Sequence, residues 1–349
     1  MSSSARLAPS LRAERLPLER IPLVDFSAFR GGGAAERKRV ALELADAFRN
    51  VGFAYLAGHG VSQELIDRTF AEAGRFFALP PEKKAEVSVE RSACDRGWFD
   101  FGSENLDPDK QEEGDLKEGY RIGNDLPADH PLVRRGIPFH GPNQWPVGVA
   151  GFRETMEEYF AAVHHLAGQV THAVAMALEL PEDYFDAWFT TAMVIMSPLH
   201  YPPQQVTRGR EISEARIGAG AHSDYGCLAL LAQDDLGGLQ VRNTDGRWID
   251  AEPVPGAFVV NVGDMLARWT NDLFPATLHR VINTSGRDRQ SIPFFYDPNY
   301  DAPVEVLPTC LAEGEQPRYA PTTSLAHLQE RFGATMPNLD PSLLEPRRG

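Results

Sequence analysis

The sequence predicts a mainly β fold with flanking helices, built on a sandwich or jelly-roll core. Two observations carry that prediction. From Thr190 onward, short apolar runs of alternating character recur: Ala192–Met196, Cys227–Leu231, Leu239–Val241, Phe258–Val262, Thr277–Val281 and Ile292–Tyr296. Gly237-Gly238, Asp245-Gly246 and Pro255-Gly256 punctuate them, and short strands at such spacing form packed β layers. Before Thr190, apolar residues instead fall largely at helical spacing.

Residues 1–20 contain serine and four arginines but no apolar h-region, so they read as a disordered tail rather than a secretory signal. Glu14 and Glu19 count against a transit peptide. Ile21–Phe26 reads as a short strand. Val40, Leu42, Leu44, Ala47 and Phe48 define a helix over about residues 34–50, stopped by Gly52. Phe53–Leu56 is a strand, turned by Gly58-His59-Gly60. A helix over about 63–77 has Ser62 as its N-cap, and Pro80–Lys84 starts another. Residues 88–145 are rich in Gly, Pro, Asp and aromatics and read as long loops, which are often functional. A long helix follows over about 149–178, with Phe152, Met156, Phe160, Val163, Ala167, Val170, Val174 and Leu178 along one stripe. A short helix is expected over 181–189 and a last one over 324–332. The chain thus divides into a tail (1–20), an N-terminal region (21–145), supporting helices (146–190), the β core (191–305) and a C-terminal helix and tail (306–349).

The 349 residues are 42% hydrophobic, enough for a large core, and carry a net charge of −15. No basic cluster beyond short pairs occurs, so no nucleic-acid partner is expected. The acidic run Gln111-Glu112-Glu113-Gly114-Asp115 reads as a solvated loop. Cys94, Cys227 and Cys310 are odd in number and widely spaced, which argues against a disulfide framework and fits a reducing cytoplasm. Cys227 reads as an inert strand residue. No apolar stretch reaches membrane-spanning length, so no membrane association is expected. The sequence carries no signal of oligomeric state.

The chemistry concentrates in three side chains. His222 and Asp224 are two apart, and on a strand such residues share a face. Of the ten histidines, only His222 has an acid at that spacing. His279 lies 57 residues further on, in another strand-like segment, with room for intervening strands to bring it back across a barrel. Two imidazoles and a carboxylate suit Fe(II) with open coordination positions. Zinc is the alternative metal, but the HExxH helix common in hydrolytic zinc sites is absent. His200 is the main rival ligand. His164, His165 and His172 fall on the long helix as surface or packing residues, and His59 reads as structural.

Arg289 and Ser291 also share a strand face, and a guanidinium with a hydroxyl can hold a carboxylate. Tyr201 is a candidate third donor. Arg96, Trp98, Phe99, Tyr120, Arg121, Arg268 and Trp269 are candidate substrate contacts. Each has an equally simple reading as packing or surface charge.

These residues sit in stretches that resemble the isopenicillin N synthase-like family of Fe(II)/2-oxoglutarate dioxygenases. The stretches are His222-Ser223-Asp224-Tyr225-Gly226, Leu230–Asp235, Gly237–Val241, Asn261-Val262-Gly263-Asp264, Leu278–Val281 and Ser291–Asn299, with Ile21–Phe26, Gly52-Phe53 and Gly58-His59-Gly60 in the N-terminal region. The segment Asp264–Asp272 is similar to thymine hydroxylase and to bacterial ethylene- or succinate-forming members. The resemblance spans about residues 20–335. It implies a double-stranded β-helix (jelly-roll) core over 191–305 behind a non-haem dioxygenase N-terminal region. It implies Fe(II) on His222, Asp224 and His279, and 2-oxoglutarate held by Arg289, Ser291 and Tyr201. It further implies O2 as oxidant and stimulation by ascorbate. Two departures stand out: Gln290 replaces a frequent tyrosine and should point away, and Leu199 replaces a frequent asparagine two residues before Tyr201.

The expected activity is oxidation, chiefly hydroxylation, of a small-molecule substrate with release of succinate and CO2. An oxidase of the same family that does not use 2-oxoglutarate, an ethylene-forming enzyme and a metal-free binding protein are the competing readings.

Overall fold

The computed structural model describes residues 20–108, 111–204 and 217–335. The tail expected over 1–20 falls outside them except for Arg20, as does the tail beyond 335. In chain order the elements are β1 (Leu23–Asp25), α1 (Ser27–Gly31), α2 (Ala34–Val51), β2 (Phe53–Ala57), α3 (Gln63–Phe77), α4 (Pro81–Lys84), β3 (Gly97–Phe99), β4 (Glu118–Arg121), α5 (Pro131–Arg134) and α6 (Phe152–Ala177). Then follow β5 (Met193–Met196), β6 (Leu199–Tyr201), β7 (Ala219–His222), β8 (Leu228–Gln233), β9 (Leu239–Arg242), β10 (Trp248–Asp250), β11 (Ala257–Val262) and α7 (Asp264–Trp269). The chain continues with β12 (His279–Val281), β13 (Arg289–Asp297), β14 (Pro303–Val304), β15 (Thr322–Thr323) and α8 (Ser324–Thr335).

The strands build a jelly roll. A nine-stranded sheet runs β1-β2-β11-β8-β13-β6-β4-β3, with β5 also paired to β13, and a four-stranded sheet runs β10-β9-β12-β7. Alternation along the strands divides the core in two. Leu228, Leu230, Ala232, Ile292, Phe294 and Tyr296 join a cluster with α2, α3 and α6. Phe53, Leu199, Tyr201, Val259, Leu239, Val241 and Val281 fill the space between the sheets. Each fully buried aliphatic or aromatic side chain contributes about 1.5–3 kcal/mol, so this helical layer is what rigidifies the large sheet.

Local signals place the helices. The left-handed backbone of Gly52, with φ 75°, terminates α2. Ser62 accepts the Leu65 N–H at 3.2 Å and caps α3. Along α6, Phe152, Met156, Val163, Ala167, Val170 and Val174 are buried, and half-buried Phe160 packs on Phe294 with ring centroids 5.2 Å apart.

Three expectations need correction. The helix expected over 181–189 is a tighter turn ending in a 3₁₀ segment, Asp186–Trp188, because the Tyr184 and Asp186 N–H groups bond three residues back. The loop-rich stretch 88–145 contains β3 and β4, which extend the large sheet through β6. The strand around His222 ends at His222 itself, so Asp224 is not on it. Among the described residues, no helix is long and apolar enough to cross a membrane.

Candidate active site

His222 and His279 are brought together by strand pairing. β7 and β12 are hydrogen-bonded neighbours, and His222 faces His279 in register. The imidazoles therefore sit side by side rather than across a barrel, with ring centroids 4.3 Å apart. Asp224 reaches them by a different route. Residues 223–227 link the two sheets, and the Gly263, Asp264 and Met265 N–H groups bond the carbonyls of Cys227, Asp224 and Gly226. A Cβ at Gly263 would stand 2.2 Å from the Gly226 carbonyl oxygen, so only glycine permits this approach. The Asn261 amide then donates to Asp224 Oδ2 at 2.6 Å, and Oδ1 lies 3.7 Å from His222 Nε2 and 3.6 Å from His279 Nε2. One ligand atom from each of the three lies within 4.8 Å of the other two.

The donor chemistry fits a metal ion. His222 Nδ1 contacts the Gly220 carbonyl at 2.6 Å and His279 Nδ1 contacts that of Thr277 at 3.1 Å. A carbonyl only accepts, so each Nδ1 carries the proton and each Nε2 presents its lone pair. Burial, followed by the neighbouring His279, pushes His222 down to about 3, so it is neutral at physiological pH. His200 is no rival: its nitrogens bond Glu118 at 2.8 Å and Asp288 at 2.7 Å. His59 bonds the Gly256 carbonyl and the Val61 N–H, His164 packs on Phe294 and Tyr296, and His172 bonds Asp186.

His222, Asp224 and His279 line one cavity that opens to solvent. Alternation on β13 points Arg289, Ser291, Pro293, Phe295 and Asp297 into it. Gln290 faces the opposite way, toward Gly74 of α3. Arg289 is fully buried: Nε donates to the Gly237 carbonyl, Nη1 reaches Ser291 Oγ at 3.3 Å, and Nη2 has no partner among the described residues. A buried guanidinium nitrogen without an acceptor, beside a hydroxyl, is a donor set that suits a carboxylate. Tyr201 pairs with Arg289 across β6 and β13, and its ring meets the guanidinium carbon 4.7 Å from the ring centroid. Leu199 stands opposite Ser291 and lines the same cavity with an apolar surface.

The candidate substrate contacts separate by strand parity. Phe99 and Arg121 line the cavity. Trp98 and Tyr120, one position away and paired with each other, face the opposite side, where they bond Glu118 and the Gln144 carbonyl. Arg96 is committed to the carbonyls of Cys94, Asp95 and Phe139. Arg268 bonds the Ala320 carbonyl and Trp269 that of Pro303, both outside the cavity lining.

The wall beside Arg121 escaped the sequence reading. Arg121 pairs with Asp95 and Glu104, and Lys117 pairs with Glu104 at 2.9 Å and Asp115 at 2.6 Å. Asp115, expected in a solvated loop, is completely buried because Lys117 and the Gly220 N–H hold its carboxylate. Burial pushes Glu104 up, but Lys117 and Arg121 outweigh it and hold the carboxyl at about 2. Burial likewise opposes the charge on Lys117, but Glu104 and Asp115 hold its ammonium well above the ordinary value. Asp297 was also missed, although it has the strand parity of Arg289 and Ser291. One of its oxygens accepts the Cys227 N–H at 2.6 Å, and burial, with Asp224 nearby, pushes it up to about 7. Cys94, Cys227 and Cys310 are buried free thiols, and burial pushes Cys227 well up.

A jelly roll with two imidazoles, a carboxylate and a buried arginine with an unpartnered nitrogen in one cavity fits a mononuclear metal-dependent oxygenase. The chain belongs to the 2OG-Fe(II) oxygenase superfamily: that family's model matches residues 190–298, and the model for the non-haem dioxygenase in morphine synthesis N-terminal region matches residues 21–148. The 2-oxoglutarate-Fe(II) type oxidoreductase hxnY of Emericella nidulans is 40% identical over 306 residues, 86% of each chain. A homoarginine-6-hydroxylase of Arabidopsis thaliana is 38% identical over 285 residues, 80% of this chain and 81% of its own. The full-length Neurospora crassa thymine hydroxylase, solved with alpha-KG and thymine, superimposes with a TM-score of 0.78 at 33% identity over 90% of this chain and 96% of its own. The protein is a 2-oxoglutarate/Fe(II)-dependent dioxygenase that takes Fe(II), 2-oxoglutarate and O2.

Proposed function

We propose that the protein hydroxylates a C–H bond of a small molecule, with His222, Asp224 and His279 as the Fe(II) ligands and Arg289, Ser291 and Tyr201 as the 2-oxoglutarate pocket. The observation that carries this reading is the convergence, in one cavity, of two Nε2 lone pairs, one carboxylate oxygen and an unpartnered guanidinium nitrogen. Thymine and homoarginine hydroxylases among the similar proteins support hydroxylation as the outcome.

Fe(II) with bound 2-oxoglutarate supplies oxygen activation, coupled to decarboxylation of the keto acid to succinate and CO2. The chain's own residues do the positioning. The carbonyls of Gly220 and Thr277 fix each imidazole tautomer, and the Asn261 amide orients Asp224. Arg289 offers its free nitrogen to the distal carboxylate of 2-oxoglutarate, Ser291 adds a hydroxyl, and the Tyr201 ring braces the guanidinium. Phe53, Leu231, Leu239 and Val281 form an apolar wall that excludes water. Phe99 and Arg121 face the prime substrate. Stimulation by ascorbate is expected, and the three buried free thiols suit a reducing cytoplasm.

Asp224→Ala tests the ligand assignment. It is expected to abolish Fe(II)-dependent succinate formation, and full turnover in that variant would refute the site.

A further inference from the structure

The charges that line the cavity do not balance. Carboxylates come from Asp95, Glu104, Asp224 and Asp297, with Asp115 directly behind Lys117; cations come from Lys117, Arg121 and Arg289. Four lining carboxylates against three lining cations leave an excess of one negative charge. Fe(II) and 2-oxoglutarate, at +2 and −2, cancel each other. The imidazoles are neutral as metal ligands.

The free hydrogen-bonding atoms have the same bias. Arg121 and Lys117 each already face two carboxylates, so neither is open to an anion. Asp95 and Asp297, each more than nine-tenths buried, use one oxygen apiece, for Arg121 and for the Cys227 N–H. The second oxygen of each has no partner among the described residues. A Cβ at Gly226 would stand 1.8 Å from Asp297 Oδ1, so the glycine makes room for that carboxylate. The rest of the lining includes the aromatic rings of Phe53, Phe99, Tyr225, Phe295 and Phe332. Rings and unmatched carboxylates together recognise a cation and leave a carboxylate ligand without donors. Arg289 and Asp297 also stand at opposite ends of β13, eight residues and roughly 26 Å of strand apart. The anionic co-substrate and a cationic group therefore have separate ends of the cavity.

We propose that the prime substrate is an organic cation, a small molecule whose chain ends in a guanidinium or ammonium group, with that end held by Asp297 and Asp95 while a C–H bond faces the metal. This rests on the dioxygenase reading above. The net charge of −15 steers such a substrate toward the protein.

The test uses the full chain loaded with Fe(II) and 2-oxoglutarate. Succinate formation is measured with four probes at equal concentration: agmatine, L-arginine, L-citrulline, whose side chain is the neutral counterpart of arginine's, and the anion 3-phenylpropionate. Agmatine or L-arginine is expected to raise the rate at least tenfold more than the other two. Asp297→Asn and Asp95→Asn should each reduce the arginine-over-citrulline ratio of kcat/KM at least tenfold, and Asp235→Asn on the exposed surface should not. If Asp297→Asn does not fold, Asp95→Asn carries the comparison. Equal or greater stimulation by citrulline or phenylpropionate, or none by either cation, would overturn the proposal. Failure of anaerobic Fe(II) and 2-oxoglutarate to give a charge-transfer absorption band would instead strike the underlying dioxygenase reading.

Discussion

Replacing Arg289 by alanine removes the one cation of the cavity lining that has no carboxylate partner among the described residues. Its Nη2 is free and its Nη1 reaches Ser291 at 3.3 Å, so a bound carboxylate gains a charge-assisted pair. Truncating one partner of a buried, hydrogen-bonded charge pair costs about 2–5 kcal/mol. At about 1.4 kcal/mol per tenfold, the KM for 2-oxoglutarate should rise roughly 30- to 3000-fold. Ser291→Ala removes a single hydrogen bond to a charged group, worth about 1.5–3 kcal/mol, and should raise the same KM roughly tenfold to a hundredfold. Arg289→Ala also strips the Gly237 carbonyl of its donor, so some loss of Tm is expected, and Ser291→Ala is the cleaner probe. The assay is succinate formation across a 2-oxoglutarate titration, alongside anaerobic calorimetric binding to the Fe(II)-loaded protein. A folded Arg289→Ala variant whose 2-oxoglutarate KM stays within threefold of the parent would refute the reasoning.

Glu104 titrates near 2 in the folded chain against an ordinary 4.5, so the unfolded state binds its proton first on acidification. The resulting stability, on the order of 3 kcal/mol, is fully present above pH 4.5 and lost as pH falls toward 2. Tm measured across that window should flatten in Glu104→Gln, and an unaltered slope would contradict the ion-pair account. Gly263→Ala would place a Cβ 2.2 Å from the Gly226 carbonyl oxygen and shift the link that carries Asp224. Iron affinity should fall about 10- to 100-fold in an Fe(II) titration, and parent-like affinity would show that the link tolerates displacement. All three thiols are buried, so a thiol reagent should label the native protein slowly and the urea-unfolded protein at Cys94, Cys227 and Cys310. Rapid native labelling at Cys227 would contradict its packing.

The sequence by itself determined the local elements and singled out the proposed metal-binding set. Apolar spacing marks α2, α3 and α6, the Ser62 cap and Gly52 terminus need only a few neighbouring residues, and His222 is the only histidine with an acid two positions on. Parity along a strand is also local, which is why Arg289 and Ser291 were legible as a pair and Gln290 as turned away. The same rule would have found Asp297 had β13 been extended to its true end. Parity misled at Asp224, because β7 stops at His222 and the carboxylate is aimed instead by the N–H groups of residues 263–265 and by Asn261.

Tertiary structure alone decided which charges are buried and what faces what. Asp115 differs from exposed Glu112 and Glu113 because the Gly220 N–H of β7, about a hundred residues away, bonds its carboxylate and buries it. Trp98 and Phe99 are equally aromatic, yet pairing of β3 with β4 and of β4 with β6 sends one to the helical core and the other to the cavity. Side-chain chemistry and short-range periodicity are written in consecutive residues. Desolvation, ion pairing across loops and the side a strand presents depend on partners far away in the chain, and they arise only when the sheets close.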